Sequence, residues 1–100
     1  MHVLVIGTPK FQIPPDQLGG IVDGAIAWSE KHADSIELFG GFPGGGGFGV
    51  LDVPDSETLN QIVMDMPFTW FSDVKVYPFV KGEASFRQLQ ETLAAMRVPA

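Results

Sequence analysis

The sequence contains no cysteine and few positively charged residues. Without cysteine there can be no disulfide framework, thiolate nucleophile or cysteine zinc site. Only 6 Lys and Arg stand against 12 Asp and Glu, which gives a net charge of −6. Nucleic-acid binding depends on clustered basic side chains, whereas these are scattered along the chain. We therefore expect no nucleic-acid partner, and no feature requires an oxidising compartment.

Long hydrophobic runs are also missing. A membrane-spanning helix needs roughly 20 apolar residues, but the run Val3–Ile6 already ends at Gly7. It has no basic flank of the kind that a signal peptide carries. These absences predict a cytoplasmic protein without a membrane partner. A length of 100 residues with 45% hydrophobic content predicts one domain, spanning 1–100, with a modest core.

Apolar periodicity and turn residues predict the element order βαββαβα. Asp55 is the predicted N-cap of the second helix, Pro67 ends that helix, and Ser85–Gln88 has the spacing of a capping box. The predicted strands cover 2–7, 35–39, 48–53 and 74–80, and the predicted helices cover 15–32, 55–66 and 85–96. This order is typical of the ferredoxin-like fold, an α+β fold with two helices on one face of a four-stranded antiparallel sheet.

The second face of such a sheet needs a cover. Apolar residues on both sides of the strands would leave a large exposed patch in a monomer, and such patches usually mark interfaces. We therefore expect a homodimer in which two sheets pack face to face. The last predicted helix has one narrow apolar stripe, formed by Phe86, Leu89, Leu93 and Met96, and it is expected to dock across the seam.

The segment from Phe48 to Tyr77 resembles the second half of muconolactone Delta-isomerases. It contains LDVPDSETL at 51–59, a helix that ends at Pro67, and FSDVKV at 71–76. The resemblance implies a dimeric α/β barrel, in dimers or higher oligomers, with a small-molecule cleft between helices and sheet. It also implies an intramolecular, lactone isomerase-like enzyme that works without a cofactor. The isomerases carry basic and histidine residues on the second strand, where this chain has no arginine.

Moving a proton within a lactone requires an acid–base side chain near the ligand. The candidate catalytic residues are His2, Glu37, Asp52 and Tyr77. His2 begins the first strand, Glu37 and Asp52 lie on the two strands of the central hairpin, and Tyr77 lies on the fourth strand. The alternative for Asp52 is a strand end that accepts amide hydrogen bonds, and for Tyr77 a hydroxyl with a backbone partner.

Aromatic residues predict a planar or cyclic apolar ligand. Several lie in the irregular segment before the fourth strand, where large rings often form the wall of a pocket. The candidate substrate-binding residues are Phe39, Phe48, Phe68, Trp70 and Phe71. Two alternatives to an isomerase remain open: a cofactor-free monooxygenase of the antibiotic-biosynthesis type and a non-catalytic small-molecule binder of the same fold.

The glycine-rich segment 40–49 matches the dinucleotide-binding pattern at Gly44, Gly46 and Gly49. That fingerprint needs a helix directly after the glycines, and here a strand is predicted instead. We therefore interpret the segment as a hairpin tip, either a plain surface loop or one that closes over the cleft. His2 and His32 are the only histidines and lie thirty residues apart, so sequence spacing predicts no metal site.

Overall fold

The computed structural model describes residues 1–97, which contain four strands and three α-helices. In chain order these are β1 (His2–Pro9), α1 (Pro15–Lys31), β2 (Ile36–Gly41), β3 (Gly47–Asp52), α2 (Ser56–Asp65), a 3-10 helix (Pro67–Phe71), β4 (Ser72–Phe79) and α3 (Gly82–Met96). The predicted order βαββαβα is confirmed.

The strands form one sheet in the order β2-β3-β1-β4, and every neighbouring pair is antiparallel. This is the ferredoxin-like arrangement, so the predicted fold class is confirmed. In the β1–β3 ladder, Val3 pairs with Leu51. Paired residues share a face and successive residues alternate. The buried Val3 therefore defines an inward face toward α1 and α2, and its neighbour His2 belongs to the outward face.

An aspartate cap sets the start of α2, and a proline sets its end. The Thr58 backbone N–H donates to Asp55 Oδ1 at 2.7 Å, so Asp55 is the N-cap as predicted. This backbone hydrogen bond also lowers the pKa of the Asp55 carboxyl. At the other end, the helix stops at Asp65, two residues before Pro67. A proline there leaves Met66 extended, since the residue before proline disfavours the helical region.

The start of α3 differs from the prediction. The helix begins at Gly82, and Ser85 lies inside its first turn, where its N–H donates to the Lys81 carbonyl at 2.9 Å. The predicted capping box at Ser85 is therefore wrong. The earlier start places Glu83 in the first turn, where a carboxylate complements the helix dipole, and at ion-pair distance from Arg87 one turn later.

Four side chains form the fully buried core between the sheet and the helices. They are Val3, Leu51, Val53 and Ile62. The indole of Trp28 on α1 packs against this core, and its Nε1 donates to the Ile62 carbonyl at 2.8 Å. A Cβ atom at Gly24 would lie 3.1 Å from Pro67 Cγ. The missing side chain at Gly24 therefore lets α1 approach the 3-10 helix closely.

An ionic cluster joins the last turns of α1 and α2. Lys31 Nζ and His32 Nε2 both lie 3.0 Å from Asp65 Oδ2, and Gln61 donates to Asp65 Oδ1 at 2.9 Å. The hydrogen bond from Lys31 lowers the pKa of the Asp65 carboxyl most, followed by those from His32 and Gln61. These contacts connect the C-terminal ends of the two helices that cover the inward face.

Helix α3 extends away from the rest of the chain. Each of its residues is exposed, and the described chain is 70 Å long but only 26 by 20 Å across. Its apolar stripe includes Phe86, which is 72% exposed. Among residues 1–97, no helix has an apolar stretch long enough to cross a bilayer.

Candidate functional site

A cavity of about 510 Å³ lies between the inward face of the sheet and the helices that cover it. The sheet supplies residues of all four strands. Opposite the sheet, α1 contributes Ala25 and Trp28, α2 contributes Ile62 and Val63, and the 3-10 helix contributes Phe68 and Phe71. The cavity is therefore a cleft between sheet and helices, which is where the sequence resemblance implied a small-molecule site.

The cavity exists because side-chain size changes along the inward face of the two central strands. On β1 this face reads Val3, Val5, Gly7, and on β3 it reads Leu51, Gly49, Gly47. The bulky residues fill the end with the core, whereas the three glycines leave the other end empty. Seven residues that line the cavity are glycines. Protein interiors are close-packed, so an opening of this size follows from the missing side chains.

The walls are aromatic. Of the five predicted substrate-binding residues, Phe39, Phe48, Phe68 and Phe71 border the cavity. Phe48 pairs with Ile6, so its ring belongs to the outward face and the residue reaches the cavity only at the strand itself. Trp70 does not line it, and its side chain is 67% exposed. It belongs to the same 3-10 helix as Phe68 and Phe71, and a five-residue helix cannot direct all its rings to one side. The indole that reaches the cavity is Trp28 of α1.

Few polar groups face the cavity, and most are already engaged. Thr69 Oγ1 donates to the Val63 carbonyl at 2.6 Å, and Trp28 Nε1 donates to Ile62. Ser72, at the start of β4, adds a hydroxyl without a hydrogen bond among the described residues. Within residues 1–97 the lining includes no Asp, Glu, His, Lys, Arg or Tyr. The cavity suits an apolar ring with one acceptor for Ser72.

Three of the four predicted acid–base residues lie together on the outward face. His2 Nδ1 is 3.2 Å from Glu37 Oε1 and 4.0 Å from Asp52 Oδ1. Register explains this meeting, because His2 pairs with Asp52 across the β1–β3 ladder. Glu37 is the extra residue of a bulge between Ile36 and Leu38, and a bulge redirects a side chain. None of the three lines the cavity.

Tyr77 is not part of this cluster. It pairs with Leu4 across the β1–β4 ladder, which places it on the outward face, and its side chain is 47% exposed. It makes no hydrogen bond to another described residue and does not line the cavity. All four residues that the sequence suggested for acid–base chemistry are thus on the face opposite the cavity.

The glycine-rich hairpin tip borders the mouth of the cavity. Gly44, Gly45 and Gly46 all have positive φ angles, a region that other residues rarely adopt. A Cβ atom at Gly46 would lie only 2.6 Å from the Gly7 carbonyl oxygen. The tip is followed by β3 and not by a helix, so the glycines serve chain geometry, as the sequence interpretation of a hairpin tip expected.

Comparison with known proteins identifies the fold. No family model matches the chain, and no curated protein matches it in sequence. Among solved structures, a muconolactone isomerase superposes with a TM-score of 0.70 over 81% of this chain and 90% of its own, at 19% identity. A 5-chloro-2-hydroxyhydroquinone dehydrochlorinase from Burkholderia phenoliruptrix AC1100, solved with 2,5-dihydroxybenzoquinone, gives a TM-score of 0.65 over 84% and 98%, at 17% identity.

The chain has the muconolactone isomerase-like fold. The resemblance read from 48–77 is thereby confirmed at the level of fold. The sequence analysis did not identify several residues that line the cavity: Gly7, Gly47, Gly49, Trp28 and Ser72. The glycines could have been recognised, because Gly47 and Gly49 are alternate residues of one strand and therefore lie on the same face of the sheet as Gly7. Ser72 could not, because a single serine at a strand start has many structural roles.

Proposed function

We propose that this chain is a small-molecule-modifying enzyme whose substrate is an apolar ring compound bound in the cavity. The supporting observation is the lining: a floor of glycines, walls of Phe39, Phe68 and Phe71, and one uncommitted hydroxyl at Ser72. Ligand pockets combine such apolar walls with a small number of polar groups that orient the ligand. The volume of about 510 Å³ is that of a small-molecule site.

The two fold neighbours support the substrate class. One is named for a lactone and the other for a chlorinated hydroxyhydroquinone, and the latter was solved with a benzoquinone. Both names denote small cyclic molecules. At identities of 17% and 19% they give this chain a fold and no reaction. For this chain, therefore, the shape and polarity of its own cavity are the basis of the proposal.

Isomerisation by proton transfer is the finer proposal for the reaction. It requires an acid–base group within hydrogen-bond reach of the ligand. Within residues 1–97 no carboxylate, imidazole, amine or phenol lines the cavity, and the predicted groups His2, Glu37 and Asp52 lie on the opposite face. The test is turnover of muconolactone by the wild type, with Glu37→Gln and Asp52→Asn beside it. Turnover lost in either variant supports that residue as the acid–base group, whereas turnover retained in both excludes them.

A second candidate function is non-catalytic binding of the same ring compounds. The observation in its favour is that no titratable side chain lines the cavity among the described residues. Both candidate functions predict that the cavity binds ring compounds, but only the enzyme candidate predicts that the ligand is converted to a product. Binding is therefore the first experiment, and turnover of muconolactone and of 5-chloro-2-hydroxyhydroquinone is the second.

Trp28 provides a built-in reporter for binding. The chain has two tryptophans, and only Trp28 lines the cavity. The variant Trp70→Phe removes the exposed indole and leaves Trp28 as the only tryptophan, which is excited selectively over Tyr77 at the red edge of the absorption band. We expect an uncharged cyclic ketone such as cyclohexanone to change its fluorescence saturably, and Ser72→Ala to weaken this binding severalfold. A linear, unsaturable response to this and other ring compounds would overturn the proposal.

We also propose that two copies of this chain associate through the outward face and α3. Leu38, Tyr77 and Phe79 on the outward face are 57%, 47% and 37% exposed in the single chain. Helix α3 adds a continuous apolar stripe that contacts no core. Exposed apolar patches of this kind are typical of interfaces. A second copy covering the face would bury both features at once.

A further inference from the structure

The structure assembles a ligand set that sequence spacing did not predict. His2 Nδ1 and one carboxylate oxygen each of Glu37 and Asp52 all lie within 4.8 Å of one another. Among residues 1–97 this is the one group of three or more such side chains close enough to share an ion. The three residues come from β1, β2 and β3, so strand pairing alone brings them together.

The backbone holds the three side chains in place. Asp52 is the direct partner of His2 in the β1–β3 ladder, and the bulge at Glu37 redirects that side chain toward the end of β3. The ring of Phe79, the partner of His2 on the other side, lies 5.7 Å from the imidazole and restricts it. Sites on paired strands are preorganised, which lowers the cost of binding an ion.

One atom in the cluster lacks a partner. His2 Nδ1 is inaccessible to solvent, yet it makes no hydrogen bond of acceptable geometry, even though Glu37 Oε1 is 3.2 Å away. A buried polar atom without a partner is unfavourable and calls for an explanation. A cation placed between Nδ1 and the two carboxylates would give Nδ1 the partner it lacks and would pair with both partly exposed carboxylates.

The donor atoms define the class of ion. One imidazole nitrogen and two carboxylate oxygens suit zinc and neighbouring divalent transition metals, whereas calcium and magnesium prefer oxygen alone. Two ligand atoms about 2.1 Å from a tetrahedral ion lie about 3.4 Å apart. The Nδ1 to oxygen distances of 3.2 and 4.0 Å bracket this value. Two carboxylates also balance the charge of a divalent ion.

We propose that His2, Glu37 and Asp52 form a binding site for a divalent transition metal, with zinc as its best representative. Three protein ligands leave one position of a tetrahedral ion open, as in catalytic zinc sites. The α-amino group of Met1, 3.4 Å from Asp52 Oδ1, is the cation already beside the cluster. That exposed pair is weak. The site lies on the face opposite the cavity and does not depend on the ligand proposed for that cavity. It shares Glu37 and Asp52 with the turnover test above and lies on the face proposed for self-association, so metal binding is measured directly and not through turnover.

The first test is calorimetric titration of metal-free protein with Zn²⁺, using a tag at the C terminus if one is needed. We expect one site of micromolar or tighter affinity. His2→Ala, Glu37→Gln and Asp52→Asn should each weaken it at least tenfold. Glu57→Gln and Asp73→Asn are matched controls, because both remove an exposed carboxylate outside the cluster, and they should leave the affinity unchanged.

A second readout separates a metal site from general adsorption. With only two histidines in the chain, a His32→Gln variant assigns both imidazoles in a long-range ¹H–¹⁵N spectrum. Zn²⁺ should shift the His2 nitrogens and leave those of His32 in place, and circular dichroism checks that each variant folds. Weak binding that the three ligand variants do not change, or equal shifts at both histidines, would overturn the proposal.

Discussion

Gly7 of β1 pairs directly with Gly47 of β3 on the inward face of the sheet, and this pair forms part of the cavity floor. Two neighbouring strands thus lack side chains at directly paired positions. A glycine in a strand weakens the sheet, because it orders a flexible residue and packs no side chain. The paired glycines therefore lower the stability of the sheet but leave space for the cavity, which is consistent with a ligand site at that end of the sheet.

The variant Gly49→Val tests whether the empty floor is the binding site. A Cβ atom at Gly49 would meet only Leu51 Cδ2, at an ordinary 3.9 Å, so the fold accommodates it while the side chain occupies the cavity. We expect ring-compound binding, followed by Trp28 fluorescence in the Trp70→Phe background, to fall at least tenfold. The control is Gly20→Val, where nothing lies within 4 Å of the new Cβ. Unchanged binding in Gly49→Val would place the ligand elsewhere.

The hairpin tip yields a prediction about stability. Gly44 and Gly46 have φ angles of +88° and +86°, so alanine at either position costs about 1–2 kcal/mol from backbone strain. At Gly44 nothing lies within 4 Å of the new Cβ, whereas at Gly46 it would be 2.6 Å from the Gly7 carbonyl oxygen. We expect Gly46→Ala to lower the free energy of unfolding in urea clearly more than Gly44→Ala. Equal losses would show that the contact with Gly7 relaxes freely.

Much of this fold could be predicted from the sequence, because its signals are local. Asp55 caps α2 because its carboxylate accepts a hydrogen bond from the backbone of the first turn. Pro67 follows the end of α2 because a proline restricts the residue before it and has no N–H to continue the helix. The start of α3 was misplaced because Ser85 has capping chemistry, but Glu83 and Arg87 stabilise a turn that begins earlier. When two possible helix starts lie within four residues of each other, as here, residue spacing alone does not show which one the chain uses.

The site was only partly predictable. The aromatic residues near the cavity were found from composition, because a cluster of rings in an irregular segment usually packs around something. The cluster of His2, Glu37 and Asp52 depends on strand register and a bulge, neither of which the sequence states. The face on which those side chains lie follows from the same register. Their separation from the cavity therefore emerged only with the structure.

The glycines of α1 are predicted to differ in tolerance. Gly20→Ala meets nothing within 4 Å and should raise the free energy of unfolding by about 0.5–1 kcal/mol, the usual gain of alanine over glycine in a helix. Gly24→Ala gains the same propensity but places its Cβ 3.1 Å from Pro67 Cγ. We expect Gly24→Ala to be less stable than Gly20→Ala in urea unfolding. The reverse order would mean that α1 shifts freely against the 3-10 helix.

The ionic cluster at Asp65 predicts a dependence of stability on pH. Hydrogen bonds from Lys31, and then from His32 and Gln61, lower the pKa of this carboxyl in the folded chain. A lowered folded pKa contributes stability above the unfolded value of about 4, and that stability is lost as the pH falls through the folded pKa. We expect the urea midpoint to drop below about pH 4 more steeply in the wild type than in Asp65→Asn. Gln88→Ala removes an exposed side chain far from the cluster without removing a carboxylate, and this control should retain the wild-type slope.

Helix α3 provides the test of self-association. Phe86 and Leu89 are 72% and 55% exposed in the single chain, so a charge at either position leaves the monomer fold intact. If a second copy covers the stripe, the double variant Phe86→Glu and Leu89→Glu buries charge at the interface and should sediment as a monomer. Gln88→Glu adds a charge on another side of the same helix and should retain the wild-type mass. A wild-type chain that is monomeric at micromolar concentration would contradict the proposed dimer.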